Sequence, residues 1–250
     1  MYVDKLDEPT SVLLQVDDGA DLVDALAQHG WGDGLPVVAP TPERVDAMLA
    51  GNPGDAVIAV LPPRFGEATR RTLAVNAVMA GCLPVHLPVL EAAVRALARP
   101  ELNLRGVNAT THCVAPLLIV HGEVARTAGY HGGRGAFGPG NRANAATGRA
   151  LRLVLLHVAG ATIGDGDAST QGGPAKYGYC VAENVDASPW PAYPTTIGVD
   201  TASAVTVHCG EAPHNVHDME SDDPARILDK VASAMATTAQ NNACISQGEY

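Results

Sequence analysis

The residues best suited to chemistry lie between Leu102 and Leu156 of this 250-residue chain. His112 and Cys113 come just before an apolar run, residues 114–120. A neighbouring histidine can lower the pKa of a thiol and so favour the thiolate, which makes Cys113 the first candidate for a nucleophile and His112 for its base. Adjacent residues on a strand point to opposite faces, so the two would share one pocket only if the strand bulges.

A glycine-dense loop, residues 130–140, follows the apolar run and leads into a polar helix start. Glycines let the backbone approach a ligand, and the free N–H groups of a helix start attract negative charge. We therefore expect a small, anionic substrate here, unless the loop is only a long strand-to-helix connection. The predicted substrate-binding residues are Arg142, Asn144, Arg149, Tyr130 and Trp31. Trp31, in the segment GWGDGLPVV, could instead pack a corner of the protein.

A second cluster of reactive side chains follows the apolar run at residues 203–208. Histidine and cysteine are ligands that zinc and iron accept, so the sequence allows a transition-metal site at His208, Cys209 and His214. The alternative is a set of ordinary surface histidines. Glu183 and Glu211 each come at the end of a predicted strand and are candidate general bases.

Composition narrows the classes of partner. The net charge is −11, which argues against nucleic acid and anionic membranes as partners. No apolar run approaches the roughly 20 residues that span a bilayer, and residues 1–10 lack a signal-peptide core, so we expect a cytoplasmic protein. The five cysteines are odd in number and widely spaced, which favours thiols over a disulfide framework.

Hydrophobic periodicity predicts an α/β fold, a mixed sheet with flanking helices. The chain would form one domain, or two tightly packed lobes at residues 1–100 and 101–250. Thr41 and Pro42 suit the cap and the first position of one helix. The predicted helices are residues 19–29, 42–50, 66–80, 88–98, 141–160 and 224–239. The predicted strands are residues 56–61, 103–110, 114–120, 176–183 and 203–208, the first of them buried.

Four stretches together resemble a large, poorly characterised bacterial family: GWGDGLPVVAPTPERVDAML, NAVMAGCLPVHLPVLEAAVRAL, FGPGNRANAATGRALRLVL and CVAENVDASPW. The resemblance covers roughly residues 20–220. Longer members of that family continue into a domain with a UGSC-type motif (selenocysteine or cysteine, then Gly, Ser and Cys), and this chain has no CGSC-like segment. The resemblance implies that the reactive thiol lies on a separate polypeptide, which would make this chain one subunit of a hetero-oligomer.

Three functions stay open on this reading. The first is an enzyme subunit that acts on a small anionic molecule by lyase or hydrolase chemistry, through Cys113, His112, Glu183 or Glu211. The second is a thiol-based oxidoreductase that uses Cys82 and Cys113. The third is a non-catalytic subunit that completes a partner's site, and a homo-oligomer is a further possibility.

Overall fold

The computed structural model describes residues 22–237, which form two compact units with a boundary after Glu211. Three sequence predictions reach beyond these residues: the first turn of the helix at 19–29, the last residues of the helix at 224–239, and the thiol of Cys244. Within residues 22–237, no helix is both long and apolar enough to cross a membrane.

Helices and strands are interspersed along the chain. The strands are β1 (Val57–Leu61), β2 (Gly66–Thr69), β3 (Ala115–Gly122), β4 (Cys180–Ala182) and β5 (Ser203–Gly210). The α-helices are α1 (Leu22–Gln28), α2 (Pro42–Leu49), α3 (Arg70–Ala80), α4 (Leu87–Leu97), α5 (Leu104–Ala109), α6 (Glu123–Thr127), α7 (Arg142–Val154), α8 (Tyr193–Thr196) and α9 (Pro224–Met235). A π-helical turn, Leu155–Ala159, extends α7.

The main sheet has the strand order β4-β3-β5. Strand β3 runs parallel to β4 and antiparallel to β5, and its eight residues all pair with β5, from Ala115 opposite Gly210 to Gly122 opposite Ser203. Helix α4 packs against β5, and α7 packs against β4. The fold is therefore α/β with a mixed sheet and flanking helices, as the sequence predicts.

The two faces of this sheet have different surroundings. Leu118 and Val120 of β3 are fully buried in the main core with residues of α4 and α7. Because side chains alternate along a strand, Leu117, Ile119 and His121 point to the other face. Leu117 and Ile119 are only half-buried there, so this second face of the sheet is the more accessible one.

Helix α7 approaches the sheet closely because it carries a glycine at the contact. A Cβ atom added at Gly148 would lie 2.6 Å from the backbone nitrogen of Tyr179, just before β4. No side chain tolerates that distance, so Gly148 sets how near α7 lies to β4. The predicted helix at 141–160 is confirmed by α7 and its π-helical extension.

Three element predictions are wrong in type or burial. Residues 66–80 begin as strand β2, and helix α3 starts only after Thr69, whose side chain caps it by accepting from the Thr72 N–H. Residues 104–109 form helix α5 rather than a strand, since Asn103 caps that segment through the Gly106 N–H. Strand β1 pairs with β2 outside the main sheet and leaves Val57 and Val60 exposed, so it is not buried.

The second unit, of which residues 212–237 are described, contains helix α9. Its N-cap is Asp223, which accepts from the Ala225 N–H. Asp218 forms an ion pair with Lys230 at 2.8 Å, and the pKa of Asp218 is well below its usual value because of hydrogen bonds from Lys230 and from nearby backbone N–H groups.

Candidate active site

Three side chains form a hydrogen-bonded chain across the main sheet: one lies in β3, one in β5 and one directly after β4. His121 Nδ1 lies 2.7 Å from Glu183 Oε2, and His121 Nε2 lies 2.8 Å from Thr206 Oγ1. The register of β3 with its two neighbouring strands explains why these three side chains meet. Thr206 pairs with Ile119, two residues before His121 on the same face, and Glu183 directly follows β4, where its N–H donates to the Val120 carbonyl.

The chemistry of the partners fixes where the proton of a neutral His121 resides. An ionised carboxylate can only accept hydrogen bonds, so Nδ1 carries the proton and donates it to Glu183. Nε2 is then the acceptor, and the Thr206 hydroxyl donates to it. This tautomer leaves His121 able to take a proton from Thr206.

Glu183 is held firmly in this chain. Its other oxygen, Oε1, accepts from the backbone N–H of Tyr193 at 2.7 Å. The Tyr193 ring stacks on His121 with a centroid distance of 6.2 Å. His121 itself is 2% exposed, while Glu183 and Thr206 are half-buried. The imidazole is therefore shielded, and the carboxylate and hydroxyl on either side of it are more accessible.

A hydroxyl, a histidine and a carboxylate in this order constitute the arrangement that activates a nucleophile. The required separations are about 2.6–3.2 Å between heavy atoms, and both contacts of His121 meet them. Sequence analysis identified Glu183 but missed His121 and Thr206. The available signal was a polar residue in or next to an apolar run. Thr206 lies within the run at 203–208, and His121 directly follows the run at 114–120.

The glycine loop at 130–140 is built into the protein near the end of β4. A Cβ atom at Gly132 would lie 2.3 Å from the Ala182 carbonyl oxygen, so only glycine fits this approach. Asn144 is buried and binds the loop through the His131 N–H, the His131 carbonyl and the Ala136 carbonyl. Tyr130 is buried too, with its hydroxyl 2.8 Å from Thr147 Oγ1. Asn144 and Tyr130 thus have structural partners.

The two predicted anion-binding arginines of α7 differ in their surroundings. Arg149 forms a two-point ion pair with Asp33 (Nε–Oδ2 2.7 Å, Nη2–Oδ1 2.8 Å) and also donates to the Leu35 and Pro36 carbonyls. Burial alone would raise the pKa of Asp33, but the hydrogen bonds from Arg149 and from the Leu35 backbone outweigh it and lower the pKa. Arg142 is exposed at the start of α7, and its Nε donates to the Gly81 carbonyl at 2.8 Å.

Arg149 therefore holds the GWGDGLPVV segment in place. The same segment contains Trp31, which is half-buried, stacks on His29 and packs against a small core cluster that includes Leu153 of α7. Trp31 fills a corner of the protein, which is the second of the two roles the sequence allows.

The predicted nucleophile lies at the other end of β3. Cys113 and His112 are half-buried in the segment before that strand, and Cys113 Cβ lies near Gly173. Glu211 follows β5 at this end, where its carbonyl accepts from the Tyr179 hydroxyl at 3.2 Å. At about 3.3 Å per residue, β3 spans roughly 20 Å from Ala115 to His121, the partner of Glu183, and Cys113 lies two residues before Ala115. The four predicted catalytic residues therefore do not form one site.

Three of the described thiols are buried and Cys113 is half-buried. The four cysteines within residues 22–237 are free. Burial raises the thiol pKa of Cys82 and of Cys209 to about 12, and it also raises that of Cys180. Thiols of this kind are poor nucleophiles, so Cys113 is the more accessible candidate for thiol chemistry.

The predicted metal ligands occupy two units. His208 and Cys209 lie inside β5, where His208 is exposed and Cys209 is buried on the opposite face, and His214 is exposed in the second unit. Among residues 22–237, no group of three or more His, Cys, Asp or Glu side chains is arranged to hold a metal ion. The zinc or iron site stays a prediction from sequence.

Comparison with known proteins gives no relative: no family model, curated protein or solved structure significantly matches the chain. The resemblance to the UGSC-type family likewise stays a prediction. The function of the chain is therefore inferred from the geometry of the site.

Proposed function

We propose that this chain is a hydrolase that cleaves a small ester or amide through Thr206, His121 and Glu183. The observation that carries the proposal is the unbroken chain from the Thr206 hydroxyl through the His121 ring to the Glu183 carboxylate, with contacts of 2.8 and 2.7 Å. It retains the hydrolase chemistry expected from the sequence and the role of Glu183. It replaces Cys113 as the nucleophile.

The reaction would follow the logic of a nucleophile, a base and an orienting carboxylate. Thr206 Oγ1 attacks the substrate carbonyl carbon while its proton passes to His121 Nε2. The C–O or C–N bond to the leaving group breaks, and that group takes the proton from Nε2. Water, deprotonated by the same nitrogen, then attacks the acyl-threonine ester. The bond between the acyl carbon and Oγ1 breaks, the carboxylic acid is released, and Nε2 returns the proton to Thr206 Oγ1. Glu183 remains ionised and stabilises the transient imidazolium.

The surroundings support a substrate with an apolar acyl group. The segment after Glu183 carries several exposed large apolar side chains, among them Trp190 (74% exposed), Tyr193 (46%) and Ile197 (57%). Tyr193 lies against the His121 ring, and Ile197 follows it by one helical turn. An apolar group bound along this segment would remove these side chains from water, which is favourable.

Steady-state kinetics with p-nitrophenyl esters of increasing chain length tests the proposal. Thr206→Val removes the hydroxyl and keeps the shape, so we expect kcat/KM to fall by at least about 10³-fold. Thr206→Ser keeps a hydroxyl and should retain activity within about tenfold. Thr127→Val, on an exposed threonine of α6 outside this segment, is the matched control and should match the wild type.

Circular dichroism must first show that each variant is folded. The proposal is refuted if folded Thr206→Val hydrolyses the best ester within a few-fold of the wild-type rate. Equal loss of activity in Thr127→Val would show that the effect does not come from the hydroxyl of Thr206.

A further inference from the structure

A second group of charged side chains lies near the amino end of β3, away from the proposed active site. Asp167 is 4% exposed and lies between two cations. Lys176 Nζ is 3.0 and 2.8 Å from its two carboxylate oxygens, and Arg152 Nη2 is 3.1 Å from Oδ2. The side chain of Arg152 is only 12% exposed.

The hydrogen-bonding capacity of Asp167 is already filled. Besides the two cations, its Oδ1 accepts from the backbone N–H and the hydroxyl of Ser169. Burial would raise the pKa of Asp167, but the hydrogen bonds from Lys176 and Ser169 outweigh it and lower the pKa, so the carboxylate is ionised. The loop that carries it is tied to the segment before β3 by N–H groups of Ala168 and Thr170, which donate to Asn108 and Thr111.

The charges in this group do not balance. One carboxylate faces two cations, and the side chains of Arg152 and Lys176 are only 12% and 13% exposed. Arg152 Nη2 also donates to the Ala161 carbonyl at 3.1 Å. Asp33, whose charge also acts on Arg152, is itself paired with Arg149, so the group keeps one more positive than negative charge. An excess of positive charge on largely buried side chains is costly, and an anion bound beside them would reduce that cost.

Both cations line the same cleft. Its other polar walls are Asn108 and Tyr179, and Val114 and Leu155 contribute apolar surface. The interior is small, about 10 Å³, which is room for one water-sized group. Only the charged end of a ligand would enter, with the rest of the ligand outside.

We propose that this cleft binds the carboxylate group of a small organic acid, with Arg152 and Lys176 as its cationic partners. A carboxylate carries the single negative charge that balances the group. One carboxylate oxygen is about the size of a water molecule and suits the narrow space better than a tetrahedral, doubly charged phosphate, and it can accept charge-assisted hydrogen bonds from Arg152 and Lys176. The site is independent of Thr206.

Titration calorimetry of the full chain with sodium propionate, at constant ionic strength in sodium chloride, tests this site. We expect saturable binding of one propionate per chain, and binding of inorganic phosphate at least tenfold weaker. Lys176→Met leaves one cation, Arg152, opposite the one carboxylate of Asp167, so no excess positive charge remains to attract an anion. We expect this variant to bind propionate at least tenfold more weakly. Lys176→Arg, which keeps the charge, should bind within about threefold of the wild type.

Arg64→Met is the matched control. Arg64 is exposed and pairs with Asp165 of the same loop, so this variant should bind propionate like the wild type. Absence of saturable propionate binding by the wild-type chain would overturn the proposal, whether or not Lys176→Met folds. Equal affinity of folded Lys176→Met and wild type would overturn it as well, and so would tighter binding of phosphate.

Discussion

His157 links the GWGDGLPVV segment to the core through a contact that requires a neutral ring. The Gly32 N–H donates to His157 Nε2 at 2.9 Å, so that nitrogen must carry a lone pair. His157 Nδ1 then donates to Asn76 Oδ1 at 2.6 Å, and Asn76 Nδ2 donates to the Thr72 carbonyl, which fixes the orientation of the amide. If Nε2 were protonated, its N–H would face the Gly32 N–H, and the two hydrogens would repel each other.

Burial lowers the pKa of His157 from 6.5 to about 4. The folded protein therefore binds this proton less readily than the unfolded chain, and the stability that His157 contributes is complete above pH 6.5. It is lost as the pH falls from 6.5 towards 4. From these two values, the loss amounts to about 2 kcal/mol at pH 5 and about 3 kcal/mol at pH 4.

Urea denaturation at pH 7.5 and pH 5, followed by circular dichroism, measures this loss. His157→Gln keeps an acceptor for Gly32 and a donor for Asn76 but does not titrate. We expect its free energy of unfolding to fall by about 2 kcal/mol less than that of the wild type between the two pH values. His208→Gln, on an exposed histidine, is the control and should follow the wild type. An equal decrease in His157→Gln and wild type would refute the reasoning.

Two further predictions concern Arg149 and the thiols. Arg149→Met leaves the carboxylate of Asp33, whose side chain is 5% exposed, without its partner, so urea denaturation should show a loss of about 3–5 kcal/mol. Arg99→Met, in an exposed pair with Glu101, should lose less than about 1 kcal/mol, and a similar loss in both variants would contradict the structural role of Arg149. Iodoacetamide should modify native Cys113 at least tenfold faster than Cys82 and Cys209, as mass spectrometry of peptides can measure, because burial raises the thiol pKa of the latter two to about 12. Faster labelling of Cys82 would count against this order.

Much of the fold could be predicted from local sequence. The Thr41–Pro42 start of α2 and the apolar run of β3 are local signals, and both predictions are confirmed. The errors at 66–80 and 103–110 arose where a polar cap competes with an apolar pattern. Thr69 and Asn103 start helices there through side-chain acceptors, and hydrophobic spacing alone does not reveal them.

The site was harder to predict because it depends on register. Glu183 is 62 residues from His121, and Thr206 is 85 residues from it. Only the pairing of β3 with both neighbours brings the three together. The prediction that Arg149 binds an anion has the same origin. Its partner Asp33 is 116 residues away, and local sequence gives no sign that the two meet.

The most direct test of the central claim is to label the nucleophile covalently. The wild-type chain would be treated with a fluorophosphonate that has an alkyl chain, digested, and examined by mass spectrometry for the modified residue. The account predicts one adduct, on Thr206, that forms at least about 10²-fold more slowly in His121→Gln, while Thr195 stays unmodified. An unmodified Thr206 in the folded wild type, or labelling at the same rate without His121, would contradict it.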